Sequence, residues 1–136
     1  MKKNSLSILL AAGCISISIT SFGQQSITPE QASSHQNDSV VVCGIVLQAK
    51  LRTVPKDESS VLYMGKEERP DQSLNIVIPQ IVRKQFSYDP EKFLVNNRVC
   101  IHGRIGTYNG KPAIRIFSEH QIKVDNQTDK PKDIPE

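Results

Sequence analysis

The stretch from Arg98 to Phe117, RVCIHGRIGTYNGKPAIRIF, constrains the chain more than any other. Apolar and polar residues alternate on both sides of Asn109-Gly110. That dipeptide suits the two left-handed positions of a type I′ turn. The pattern predicts a strand over 98–107, a tight turn, and a second strand over 111–117. A comparable run, SVVVCGIVLQAKL from Ser39 to Leu51, is rich in β-branched residues and predicts a long strand. Gly44 inside it predicts a bulge or a sharp bend. Shorter strands are predicted over 59–64 and 74–78, the latter ended by Pro79.

Helical segments are short and carry their own punctuation. Thr28-Pro29-Glu30-Gln31 opens as a capping box with Pro at the first helical position, and the helix is expected to end by about His35. Asn37-Asp38 turns the chain. Ile81, Val82 and Gln85-Phe86 suit a helical turn, and Asp89-Pro90-Glu91 starts another, stopped by Asn96-Asn97. The expected order is helix, three strands, helix, two strands. With 136 residues there is room for one small domain. Short strands of this kind close into an all-β barrel, which removes exposed edges. Ile122 is expected to close the last strand.

The ends of the chain read differently. Lys2 and Lys3 precede an apolar run from Leu6 to Ile19, and Ser21-Phe22-Gly23 supplies small residues at −3 and −1 before Gln24. That is the pattern of a secretory signal peptide over 1–23. The apolar run is shorter than the roughly 20 residues of a membrane span. The rival reading is a lipobox, Leu10-Ala11-Ala12-Gly13-Cys14, with lipid on Cys14; the apolar run continues past Cys14, which favours simple cleavage near Gly23. The expectation is a periplasmic or secreted protein with an N-terminal helical segment over 24–36, the barrel over 37–123, and a polar tail, VDNQTDKPKDIPE, over 124–136. The tail holds too little apolar surface to fold.

Five strands with a helix between the third and fourth resemble the OB-fold, a five-stranded Greek-key barrel. Val42-Cys43-Gly44-Ile45-Val46 and Ile101-His102-Gly103-Arg104-Ile105 resemble the paired V-x-G-x-[VI] strands of its anticodon-binding and helicase type. The ITPEQA opening and paired cysteines also resemble small exported single-OB proteins of bacteria. The resemblance covers about Ile27 to Ile122. It implies that the first and fourth strands are antiparallel neighbours, which would bring Cys43 and Cys100 within reach of a disulfide. Export and an even cysteine count point the same way. Two free thiols are the alternative.

The resemblance also implies a ligand face over the second and third strands, between the first-to-second and fourth-to-fifth loops. Lys50, Arg52 and Lys56 fall at the first loop, Tyr108, Asn109 and Lys111 at the second, with Arg104 and Arg115 nearby and Tyr63 on the second strand. The expected ligand-binding residues are Lys50, Arg52, Tyr63, Arg104, Tyr108, Lys111 and Arg115. Cations of this kind track phosphates and tyrosines stack bases. Acidic residues at 57, 58, 67, 68 and 71 work against that.

The nominal charge is +3, from 17 Lys and Arg against 14 Asp and Glu. Loss of Lys2 and Lys3 would leave it at +1. Charge alone therefore selects no nucleic acid. His35, His102 and His120 are scattered, and Cys100 with His102 is too few ligands for a metal site. No Ser-His-Asp arrangement, P-loop or dinucleotide turn is present, which argues against an enzyme. The expectation is a monomeric, non-enzymatic binding module without cofactor, for single-stranded nucleic acid. The alternative is a module for an envelope protein or glycan.

Overall fold

In the computed structural model, residues 26–53, 55–56 and 58–125 are described. Seven strands are present: β1 (Ser26–Ile27), β2 (Ser39–Leu51), β3 (Ser60–Met64), β4 (Leu74–Ile78), β5 (Arg98–Tyr108), β6 (Lys111–Arg115) and β7 (Ile122–Val124). Two single-turn helices, α1 (Gln80–Arg83) and α2 (Pro90–Phe93), lie between β4 and β5. Strands β2, β3, β4, β6 and β5 neighbour one another in that order, and β5 returns to pair with β2. The barrel is closed, with β4 and β6 parallel and its other seams antiparallel. This is the all-β OB-fold the sequence resembles.

The closure depends on β2. Its first half, Ser39 to Ile45, pairs with β5, and its second half, Val46 to Leu51, pairs with β3. The register shift falls between Val46 and Gln48. The bend was expected at Gly44, but Gly44 sits in regular register opposite Val99. Its role is packing: a Cβ there would lie 2.8 Å from Pro29 Cγ and 3.0 Å from Met64 Cγ. Gly103 is constrained in the same way, with Ile114 Cγ2 only 2.6 Å from where its Cβ would be. Both glycines admit a neighbour that any side chain would displace.

Alternation sends Val40, Val42 and Val46 of β2, Leu62 and Met64 of β3, and Leu74, Ile76 and Ile78 of β4 into one core with Val99, Ile101, Ile105 and Ile114. Asn109 and Gly110 have φ of 49° and 77°, as a type I′ turn requires. The N-terminal segment is a 3-10 helix, Pro29–His35, with Gln31 Oε1 accepting from the Thr28 N–H at 3.0 Å. It buries Pro29 and Ala32.

Ile122 does not extend β6. Gln121 Oε1 accepts from the N–H groups of Phe117 and Ser118, at 2.7 and 3.1 Å, and its Nε2 donates to the His102 carbonyl at 2.9 Å. This carboxamide turns the chain, and Ile122 opens the separate strand β7 against β5. Val124, assigned from sequence to the polar tail, closes that strand opposite Val99, and Arg98 Nε donates to Asp125 at 3.2 Å. The signal segment and residues 126–136 lie outside the described residues.

Two links tie the barrel together from its surface. Cys43 and Cys100 are directly opposed in register, with Cα atoms 4.1 Å apart, and form a disulfide. The bond joins positions 57 residues apart. The second link runs through Glu91 of α2. Its carboxylate accepts from Arg83 Nε at 2.5 Å and Nη2 at 3.2 Å, and also from the hydroxyl of fully buried Ser60. The bond to Glu91 holds the Arg83 guanidinium above its ordinary pKa.

Serine at both cysteines should lower stability by about 3–4 kcal/mol in the chain-entropy picture, read as a lower melting temperature than wild type under non-reducing conditions. Equal melting of the two proteins would mean that the bond contributes nothing. Glu91→Ala leaves Ser60 without its acceptor and Arg83 without its carboxylate. It should cost about 1–3 kcal/mol in chemical denaturation, and an unchanged midpoint would contradict that.

Candidate functional site

Six of the seven residues predicted for ligand binding lie in strands and share one parity on the outer face of the barrel; Arg52 follows the end of β2. Core residues fix that parity. Leu62, Met64, Leu74, Ile76, Ile105 and Ile114 point inward, so their immediate neighbours point out. Register then aligns two rows across the sheet. One runs Gln48, Tyr63, Asn75, Ala113, Gly106. The other runs Lys50, Val61, Val77, Arg115. Arg104 and Tyr108 flank Gly106 on the same side of β5, and Tyr108 is paired with Lys111 across the hairpin.

The centre of this face is low and apolar, and its margins are basic. Val61 is 1% exposed and Ala113 5%, yet neither belongs to the interior core. They form a floor. A depression of about 140 Å³ lies over Val77, Gly106 and Ala113, with Arg104, Tyr108 and Arg115 around it. Lys50 Nζ lies 5.6 Å from the centroid of the Tyr63 ring, within cation–π range. Arg52, just past the end of β2, reaches the hairpin: its Nη1 donates to the Tyr108 hydroxyl, and its guanidinium lies 5.7 Å from the Tyr108 ring centroid. The two loops that bound the face therefore touch through a pair 56 residues apart.

Electrostatically the face is one-sided. Among the described residues, none of Lys50, Arg52, Arg104, Lys111 and Arg115 makes an ion pair with a carboxylate. Arg104 Nε is oriented by the Asn37 carbonyl at 2.9 Å. Of the acidic residues expected to interfere, Glu58 is hydrogen-bonded by Gln80 Nε2 at 3.1 Å; Glu67, Glu68 and Asp71 occupy the connection between β3 and β4; position 57 lies outside the described residues. Lys56 stands in the β2–β3 loop, exposed and with φ of 84°.

Two residues of this face were missed from sequence. Phe117 follows buried Ile116, so it continues the outward series Lys111, Ala113, Arg115, and it is 70% exposed. The alternation alone would have placed it there. Asn75 is the one polar residue in the strand LNIVI, and it sits at the centre of the face, 3% exposed. The histidines lie elsewhere: His35 pairs with Asp38 at 3.2 Å, and His102 and His120 border a separate depression beside Cys100.

No family model matches the chain, and no curated protein matches it. Solved structures do. One is from Leishmania major Friedlin, assigned as an aspartyl-tRNA synthetase: 10% identity, TM-score 0.50, with 79% of this chain and 22% of that chain covered. Another is that of yeast Stn1 and Ten1: 10% identity, TM-score 0.53, with 77% and 64% covered. The chain thus spans about a fifth of the first and just under two thirds of the second. At this identity the likeness is one of fold.

Tyr108→Phe keeps the ring beneath the guanidinium and removes the acceptor for Arg52. It should change stability by less than about 1 kcal/mol, since the pair is exposed. Amide exchange in the 52–59 loop should quicken. Unchanged exchange would show that the contact does not hold the loop.

Proposed function

We propose that this protein is an exported, non-enzymatic OB-fold module that binds single-stranded nucleic acid on the outer face of β3, β4 and β6. The observation that carries the reading is the convergence, on one side of the barrel, of five cations that pair with no carboxylate among the described residues, together with three aromatic rings. Phosphates suit the cations on both margins, while bases stack on Tyr63, Tyr108 and Phe117; such stacking is worth about 1–3 kcal/mol per base. A single strand suits the face better than a duplex, because stacking on a protein ring needs a base free of its neighbours. One neighbour in fold is, by its name, an enzyme of tRNA. The disulfide supports export, since such bonds persist in oxidising compartments.

Fluorescence anisotropy of labelled single-stranded DNA and RNA, with an acidic oligosaccharide as control, tests the proposal across salt concentrations. Five phosphate contacts would make log K fall with log salt at a slope of up to about −3.5. Arg52→Glu with Lys111→Glu should abolish binding, since each places a negative charge at one margin. Unchanged affinity in that double variant, or equal affinity for the oligosaccharide, would overturn the reading. The second result would favour an envelope glycan as the ligand.

A further inference from the structure

Asn75 is an unusual residue for its position. Asparagine is disfavoured in strands, and a valine would fit the run LNIVI better. The side chain is 3% exposed, and its Oδ1 is buried with no hydrogen-bond partner. An orphaned buried acceptor loses its hydration without compensation, and native proteins hold few of them. This one lies at the middle of the outer face, between Tyr63 on β3 and Ala113 on β6.

We infer that Asn75 is the specificity-determining residue of the face, accepting a hydrogen bond from the N–H edge of an unstacked base. The inference rests on the nucleic-acid reading above and assigns the base, rather than the backbone, to the centre of the site. The chemistry separates the two. Phosphate oxygens only accept, so a phosphate gains nothing from Oδ1, and the marginal cations already suit it. The sugar of DNA offers no donor within the strand. Every base carries an N–H or amine on its edge, each at a different position, so one fixed acceptor favours the base whose donor falls opposite it. The floor beside Asn75 is apolar, with Val61 and Val77 in the adjacent row, and suits a flat ring above it. Tyr63 is the register partner of Asn75 on β3, and its ring, beside Lys50, is placed to stack on the base that Asn75 binds. The acceptor then gains the partner it lacks in the free protein.

The test is Asn75→Val, compared with wild type by anisotropy against four single-base DNA oligonucleotides of about twelve nucleotides. DNA is used so that the base is the only donor. Wild type should prefer one base. The variant should lose about tenfold in affinity for it, at low and physiological salt alike, with the preference flattened and the salt slope unchanged. Its melting temperature should hold or rise, because the orphaned acceptor is gone. A residue with a merely structural role would give the opposite pattern. A lower melting temperature, failure of the variant to fold, or retained preference would overturn the assignment to Asn75 while leaving strand binding intact. Absence of strand binding by wild type would overturn both.

Discussion

The architecture depends on one strand serving two partners. β2 cannot stay straight and pair with both β5 and β3, and the shift between Val46 and Gln48 lets it turn from one to the other. Every other seam follows. Once β2 has closed the barrel, β4 and β6 must lie parallel, since β3 and β5 each reach them by an antiparallel step. The disulfide lies on the β2–β5 seam, between the two residues that face each other across it. A covalent bond there constrains the unfolded chain across the same long loop that closure must bring together.

Closure also determines what the outer face can be. A closed barrel of short strands commits one parity of side chains to the core, and the other parity is free for function. On β3, β4 and the middle of β6 that parity carries an apolar floor with a single buried amide, and on β2, β5 and the two ends of β6 it carries cations. The divided roles have a physical logic. Charges at the margin stay hydrated when the face is empty, whereas a charge at the floor would suffer desolvation throughout. Asn75 is the compromise: a neutral group that holds a polar atom where water does not reach it. Its unpaired acceptor is the sort of local inconsistency that stable packing avoids and functional sites retain.

Much of this was legible from residue pattern. β2 and β4 begin and end where their β-branched and apolar runs do, and the hairpin turns at Asn109-Gly110 because only that dipeptide suits two positive φ values there. The cysteine pairing followed once the first and fourth strands were neighbours. What sequence missed came from contacts between distant segments. Gly44 looked like a bend but is a gap filled by Pro29 and Met64, and no local pattern announces a packing partner fifteen or twenty residues away. Ile122 looked like the end of β6, and Gln121 binding to the His102 carbonyl set it apart. Lys50, Arg52, Tyr108 and Lys111 are legible from their loops and Tyr63 from its strand; the common face of the candidate residues is a consequence of register. Phe117 and Asn75 carry no motif and become visible only when alternation is followed through each strand.

On the proposed reading the outer face of β3, β4 and β6, and not the disulfide-bearing side, takes the ligand. Backbone and side-chain amide NMR shifts, followed as single-stranded DNA is added, test it most directly. Binding at this face should perturb Tyr63, Asn75, Arg104, Tyr108 and Arg115 and leave Cys43, Cys100 and His120 unmoved. Shifts concentrated around Cys100, His102 and His120, or no shifts at all, would contradict it.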